Sequence, residues 1–477
     1  MAAPLLLLAG AATARAGEEG TTLEDLRRRM EEMERRHGEE MRAVRVELDR
    51  LKSGAPAAAP AGKDLEAQVE EYLDRVEDLE GKVRTLEAPR PQARLLDISL
   101  SGLFAAGGST ATDEELESLQ GGGHDPHGRG FTVQNVEMAF SGAVDPYFRG
   151  DAFIVAGIDA GGESFLELEE AYLTSTSLPA GLQVKAGHFL TEFGRVNASH
   201  PHSWEFVDQP VVNTRMFGPD GMRAPGARVS WLAPTEFPLE FLGTVQDGNG
   251  ETMTSFLSSS GGHSHGGGGE EEEEGGPLPG GYHAEYGGGR SLSDMVWTGR
   301  AASSFDLDGE TVLMPGVSGS FGPNGSGASA RTRILGADLT IKWKPLANQA
   351  GFPFLSWTTE AMKRTFHADE VNEPGEPFLP HATLEDVGLY SQVVWGFRRG
   401  WTLGLRWDQA WGSGGDEEGD PMRDDRTRAS LALTWFPSEF SRLRLQVNRD
   451  RSGAVGDAVS VWLQWEFTLG AHGAHRF

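Results

Sequence analysis

The chain has 477 residues, 38% of them hydrophobic, and carries no apolar run long enough for a membrane-spanning helix beyond its first residues, which argues against a helical membrane protein. A net charge of −29 argues against nucleic acid as a partner. The absence of cysteine excludes disulfides and thiolate metal sites, and suits an exported bacterial protein.

The N-terminal part reads as a signal peptide and a coiled coil. Residues 1–16 contain the short apolar core Leu5 to Leu8 and end in Ala14-Arg15-Ala16, so cleavage is expected before Gly17. A solvated Ala-rich tail is the alternative. Residues 17–90 follow coiled-coil spacing. Leu65, Val69, Tyr72, Val76, Leu79, Val83 and Leu86 repeat every four and three residues. Leu23, Leu26, Met30, Met33, His37, Met41, Val44, Leu48 and Leu51 do the same, with one extra four-residue step at His37 that locally unwinds a supercoil. Residues 53–62 form a Pro/Ala/Gly linker between the two helices. Such helices need partners, and parallel oligomerisation is the natural one if the domain that follows is oligomeric.

From about Leu95 the period changes to two. Leu443, Leu445 and Val447 alternate with Arg442, Arg444, Gln446 and Asn448; Leu403, Leu405 and Trp407 alternate with Thr402, Gly404, Arg406 and Asp408. The last strand alternates from Val459 to Leu469 with Trp462 as its one exception. Short turns such as Val144–Phe148, Ser177–Gly181 and Arg398–Gly400 take turns with longer Gly- or charge-rich connections. Residues 95–477 therefore predict an all-β, antiparallel outer-membrane β-barrel of about sixteen strands, with short periplasmic turns and long outer loops. Both ends of the barrel would face the periplasm, together with the coiled coil. A soluble sandwich would show the same alternation with its faces exchanged. All twelve Trp lie at or beyond Trp204, many at strand ends, as an interfacial girdle requires.

Several motifs in this region occur together. They are Glu169-Glu170-Ala171-Tyr172, Lys185-Ala186-Gly187-His188-Phe189, Glu192-Phe193-Gly194-Arg195-Val196-Asn197, His200, Asp208-Gln209-Pro210, Gly218-Pro219-Asp220-Gly221, Gly336-Ala337-Asp338-Leu339 and the ending Leu469 to Phe477. In these the chain resembles the phosphate-selective porin O and P family, which includes zinc-regulated outer-membrane receptor-like members. The resemblance implies a sixteen-stranded, trimeric, passive channel whose selectivity for phosphate depends on arginines and lysines in the pore.

Two regions carry candidate site residues. Residues 193–224 form a long connection that is unusually apolar, with Trp204, Phe206, Val207, Val211, Val212, Met216 and Phe217. Such a loop is poorly placed in water. It is expected to fold into the lumen and narrow it, with Arg195, His200, Arg215 and Arg223 at the constriction, joined by Lys185 on the wall. The alternative is simple packing, its arginines paired with Glu205, Asp208 and Asp220. Arg406, Arg428, Arg442 and Arg444 fall on the polar phase of the last strands, where they would attract anions. Acidic residues share that phase, so an internally paired, weakly selective lumen is the other reading. The second region is His263-Ser264-His265 followed by glycines and Glu270 and Glu271. It offers a loose site for zinc, or a solvated acidic loop.

No catalytic motif is present, and no cofactor is expected beyond loosely bound zinc. The sequence thus reads as a non-enzymatic porin for small solutes or anions, set in outer-membrane lipid. Alternatives are a zinc-regulated or energy-coupled receptor for metal uptake, and a structural tether reaching the periplasm or cell wall through the coiled coil. An energy-coupled receptor would need a globular plug and a barrel of about 22 strands.

Overall fold

A computed structural model describes residues 96–158, 162, 164–258, 278–282, 291–348, 350–371, 378–414 and 423–470. The expected signal peptide, coiled coil and linker, and the candidate zinc residues His263, His265, Glu270 and Glu271, lie outside the described residues.

The described chain is a meander of antiparallel strands. They are β1 (Asp97–Ser109), β2 (Gly130–Ala143), β3 (Phe148–Ile158), β4 (Ser164–Ser175), β5 (Leu182–Leu190), β6 (Arg223–Leu232), β7 (Leu239–Asp247), β8 (Met295–Ser303) and β9 (Phe305–Asp306). They continue as β10 (Thr311–Pro323), β11 (Arg331–Trp343), β12 (Phe354–Ala368), β13 (Ala382–Arg398), β14 (Trp401–Ser413), β15 (Arg426–Ser438), β16 (Ser441–Ser452) and β17 (Gly456–Gly470). β1 pairs with both β2 and β17, so the sheet closes. β8 and β9 lie on one line: Gly316 faces Ala302 and Leu313 faces Phe305 in the same register. The break falls beside Pro315, which has no amide hydrogen to donate. Seventeen strand segments less that one interruption (17 − 1) make a closed barrel of 16 strands.

The two faces of the wall decide between barrel and sandwich. On β16 the inward residues Arg444, Gln446 and Asn448 are 1%, 0% and 0% exposed, while the outward Leu443, Leu445 and Val447 are 36%, 46% and 37% exposed. Polar side chains are inside and aliphatic ones outside, the reverse of a water-soluble sandwich. A closed sheet leaves no unpaired edge, so this surface satisfies what a bilayer demands of backbone and side chains alike. Outward aromatics gather near the short-turn end, where Trp401 stacks on Trp435 and Trp231 on Phe241, each pair at 5.9 Å. The strand ends that lead into the long connections lie at the other end.

Among the described residues, two short α-helices stand inside the wall. α1 (Asp113–Leu119) belongs to the connection between β1 and β2. It starts in a capping box, in which Thr112 accepts from the Glu115 amide and Glu115 accepts from the Thr112 amide. α2 (Val211–Phe217) belongs to the connection between β5 and β6, and all of its residues are buried. Trp462, out of phase in the sequence pattern, points inward at 0% exposure and packs on Leu116 of α1 and on Val207. Its position on the polar face is explained by that contact.

Candidate functional site: a segment held inside the barrel

Residues 191–222, between β5 and β6, run into the lumen. The base of the segment is closed by Asn197, whose Nδ2 donates to the carbonyls of Thr191 (2.8 Å) and Met222 (3.1 Å) and whose Oδ1 accepts from the Met222 amide (2.8 Å). Gly194 turns the chain at φ +61° with its Cα against the Glu360 carboxylate, where a side chain would collide. Phe193, Val212, Met216 and Phe217 then build an apolar core with Ile334, Met362 and Tyr390 of the wall. Burying this apolar face is what draws the segment inward. Gly388 lets α2 approach, since a Cβ there would lie 2.7 Å from Val212 Cγ2.

A polar clamp holds the far side of the segment. Asp208, fully buried, accepts from Arg406 Nη2 (2.6 Å), Arg428 Nη1 (3.0 Å), Gln446 Nε2 (3.0 Å) and Asn448 Nδ2 (2.7 Å), four donors from β14, β15 and β16. Arg406 also donates to the Asp208 carbonyl and lies 4.7 Å over the Phe206 ring. Arg442 and Arg444 donate to the Trp204 carbonyl at 3.0 and 2.8 Å. Arg428 donates to the Leu119 carbonyl at the end of α1 and pairs with Asp450 at 2.7 Å. The amides of Val207, Gln209 and Val211 donate to Gln446, Asp125 and Asp408.

The sequence-predicted residues therefore fall into groups. Arg406, Arg428 and Arg444 are buried beneath the segment, and Arg442 is nearly so, each engaged by a carboxylate, an amide or a carbonyl oxygen. Arg195 crosses to the wall, pairing with Asp338 at 2.6 Å and donating to the Met314 carbonyl at 2.7 Å. Arg215 donates to the Arg423 carbonyl and to Asp424. Arg223 pairs with Glu167, and Lys185 with Glu192 at 3.1 Å. Pairing within the segment to Glu205, Asp208 and Asp220 was one expectation for Arg195, Arg215 and Arg223. Their ion pairs instead reach the wall and its connections, because the segment lies across the lumen rather than coiled upon itself.

His200 sits apart from the Asp208 clamp. Its Nδ1 is 3.0 Å from both Glu137 Oε2 and Glu169 Oε2, and its Nε2 is 2.8 Å from Glu170 Oε2. Two consecutive glutamates point inward because β4 carries a bulge: Phe153 faces Glu170 and Ile154 faces Leu168, leaving Glu169 without a partner opposite. Period-two reading would send one of the two outward, so His200 and the Glu169-Glu170 pair were legible singly but not as one cluster.

No family model matches the chain. Solved structures of similar outline include the outer membrane channel DcaP of Acinetobacter baumannii, with 11% identity over 78% of this chain and 96% of that one at TM-score 0.47. Another is an anion-selective porin from Comamonas acidovorans, with 8% identity over 78% and 100% at TM-score 0.45. OmpF of Salmonella typhi shows 11% identity over 78% and 97% at TM-score 0.43. In sequence, a protein of Aquifex aeolicus described as uncharacterized is 30% identical over 418 residues, covering 81% of each chain. At that identity and coverage, this chain and the Aquifex aeolicus protein belong to one family.

Proposed function

We propose that the protein is an outer-membrane diffusion channel for small solutes, narrowed by residues 191–222. The observation that carries this reading is a closed 16-stranded barrel with an apolar outer belt and a polar interior into which one connection is folded and clamped. In this reading Asp208, Arg406, Arg428, Arg442 and Arg444 hold the constriction in place rather than bind the permeating solute. Charges that reach water near the constriction are fewer: Glu205 is exposed, and the Arg195 side chain is 28% exposed. Paired interior charge supports weak selectivity, and a phosphate preference rests only on the sequence resemblance. Homotrimer assembly, a periplasmic coiled coil and outer-loop zinc binding at His263, His265, Glu270 and Glu271 are part of the same proposal, resting on the sequence.

The density of packing around α2 favours a second reading, a barrel closed at rest that serves as a receptor or structural element. Planar-bilayer recording of the refolded protein separates the two. Steady conductance steps support the channel; a folded barrel that never conducts overturns it.

A further inference from the structure

We infer that Glu137, Glu169 and His200 form a buried site for a borderline divalent metal ion such as zinc, at the point where the inward segment meets β2 and β4. Their ligand atoms all lie within 4.8 Å of one another. His200 Nδ1 stands 3.0 Å from each of the two carboxylate oxygens, and His202 Nδ1 stands 3.4 Å from the same oxygen of Glu137. Neighbouring ligand atoms of a tetrahedral zinc site with bonds of about 2.0 Å are about 3.3 Å apart. The donors therefore need little movement to close on an ion, and His202 is placed to supply a second imidazole. Two carboxylates with one or two imidazoles is a donor set that suits zinc and its first-row neighbours.

The surroundings support this beyond the cluster itself. Glu170 Oε2 lies 2.8 Å from His200 Nε2, the outer carboxylate that orients a metal-binding imidazole and leaves Nδ1 for the ion. The Phe153 ring packs on the His200 ring at 4.5 Å, limiting its rotation. The β4 bulge is what brings Glu169 and Glu170 to the same face. Charge balance points the same way. Glu137, Glu169 and Glu170 are 3%, 3% and 5% exposed, and the groups nearest them are imidazoles: His200, His202 at 3.4 Å from Glu137 and His124 at 3.9 Å from Glu169. Arg223 reaches Glu169 only at 3.7 Å, its closest carboxylate being Glu167. With the imidazoles neutral, as metal ligands are, three buried carboxylates beside one guanidinium leave negative charge that a divalent cation offsets. A cavity of about 10 Å³, roughly one water molecule, adjoins Glu169 and is also lined by His124, Asn213 and Asp220. Asn213, 1% exposed, lines the same cavity with no hydrogen-bond partner for its Oδ1.

The ion would tie the segment to β2 and β4, on a different part of the wall from the β14–β16 clamp at Asp208. Binding is read on folded protein whether or not it conducts, so its failure and that of the channel reading are distinguishable. The test uses full-length protein folded in detergent, stripped with EDTA and titrated with zinc chloride by calorimetry and elemental analysis. X-ray absorption then reports the ligands. One zinc per chain with nitrogen and oxygen ligands is expected in H263A/H265A, which lacks the loop histidines, and H200Q or E169Q added to that background should weaken it at least tenfold. Far-UV circular dichroism checks each variant; if H200Q does not fold, E137Q takes its place. The inference is overturned if folded protein retains no stoichiometric zinc, if H200Q and E169Q bind like the parent, or if H263A/H265A abolishes the site.

Discussion

Arg406 holds Asp208 twice. Its Nη2 donates to the Asp208 carboxylate at 2.6 Å and its Nη1 to the Asp208 carbonyl at 2.8 Å, so side chain and backbone of one segment residue are fixed by one wall residue. Arg428 joins the same carboxylate from the next strand. Asp208→Ala should leave two buried guanidinium groups short of a partner, at a cost of about 3–5 kcal/mol. The cost is local to the lumen, since the wall keeps its own ladder. Faster proteolysis within residues 191–222, with retained barrel folding, is the expected outcome; a protease pattern like that of the parent would contradict the clamp.

Trp462 joins the wall to both inward elements through Leu116 and Val207. Trp462→Ala should cost about 3–5 kcal/mol by leaving a cavity where the indole stood. Differential scanning calorimetry measures this as a lower transition temperature. Trp465→Ala, on the opposite phase of the same strand, faces outward and should cost less in detergent.

Glu205 is exposed on the inward segment, and its charge is not held in a clamp. Glu205→Gln should shift the reversal potential in asymmetric potassium chloride toward anion preference, because it removes a negative charge that ions meet in water. Arg428→Gln should affect stability more than selectivity. A larger selectivity change from Arg428 than from Glu205 would show that the buried arginines face the permeating ions after all.

Asp125, in the connection between β1 and β2, is raised from 3.8 to about 7 by burial and by the nearby Asp208 charge, against the Gln209 amide and Arg428. Where the carboxyl is buried it holds its proton up to about pH 7, and where it is opened to water it loses the proton near pH 4. Opening is therefore hardest at low pH and grows easier as pH rises between these values, then levels off. Amide-exchange protection of Gly122 and Gln209, corrected for intrinsic rates, should fall from pH 5 to pH 7.5. Asp125→Asn should remove that dependence.

The sequence determined the wall. Leu443, Leu445 and Val447 against Arg442, Arg444 and Gln446 give strand, two faces and their chemistry, because side-chain direction along a strand alternates with local geometry alone. Turn residues such as those at Arg398–Gly400 gave the meander, and the apolar run from Trp204 to Phe217 gave its own inward fold, since water is a poor place for it. Only the tertiary structure decided which face was buried, because period two reads the same in a sandwich and a barrel until closure puts Gln446 inside and Leu445 outside. It also decided what the inward charges do. Arg406 and Asp208 are separated by 198 residues, and whether a guanidinium meets water or a carboxylate depends on what the lumen holds opposite it. The His200 cluster came from a bulge at Glu169, a one-residue slip in pairing that strand periodicity does not encode.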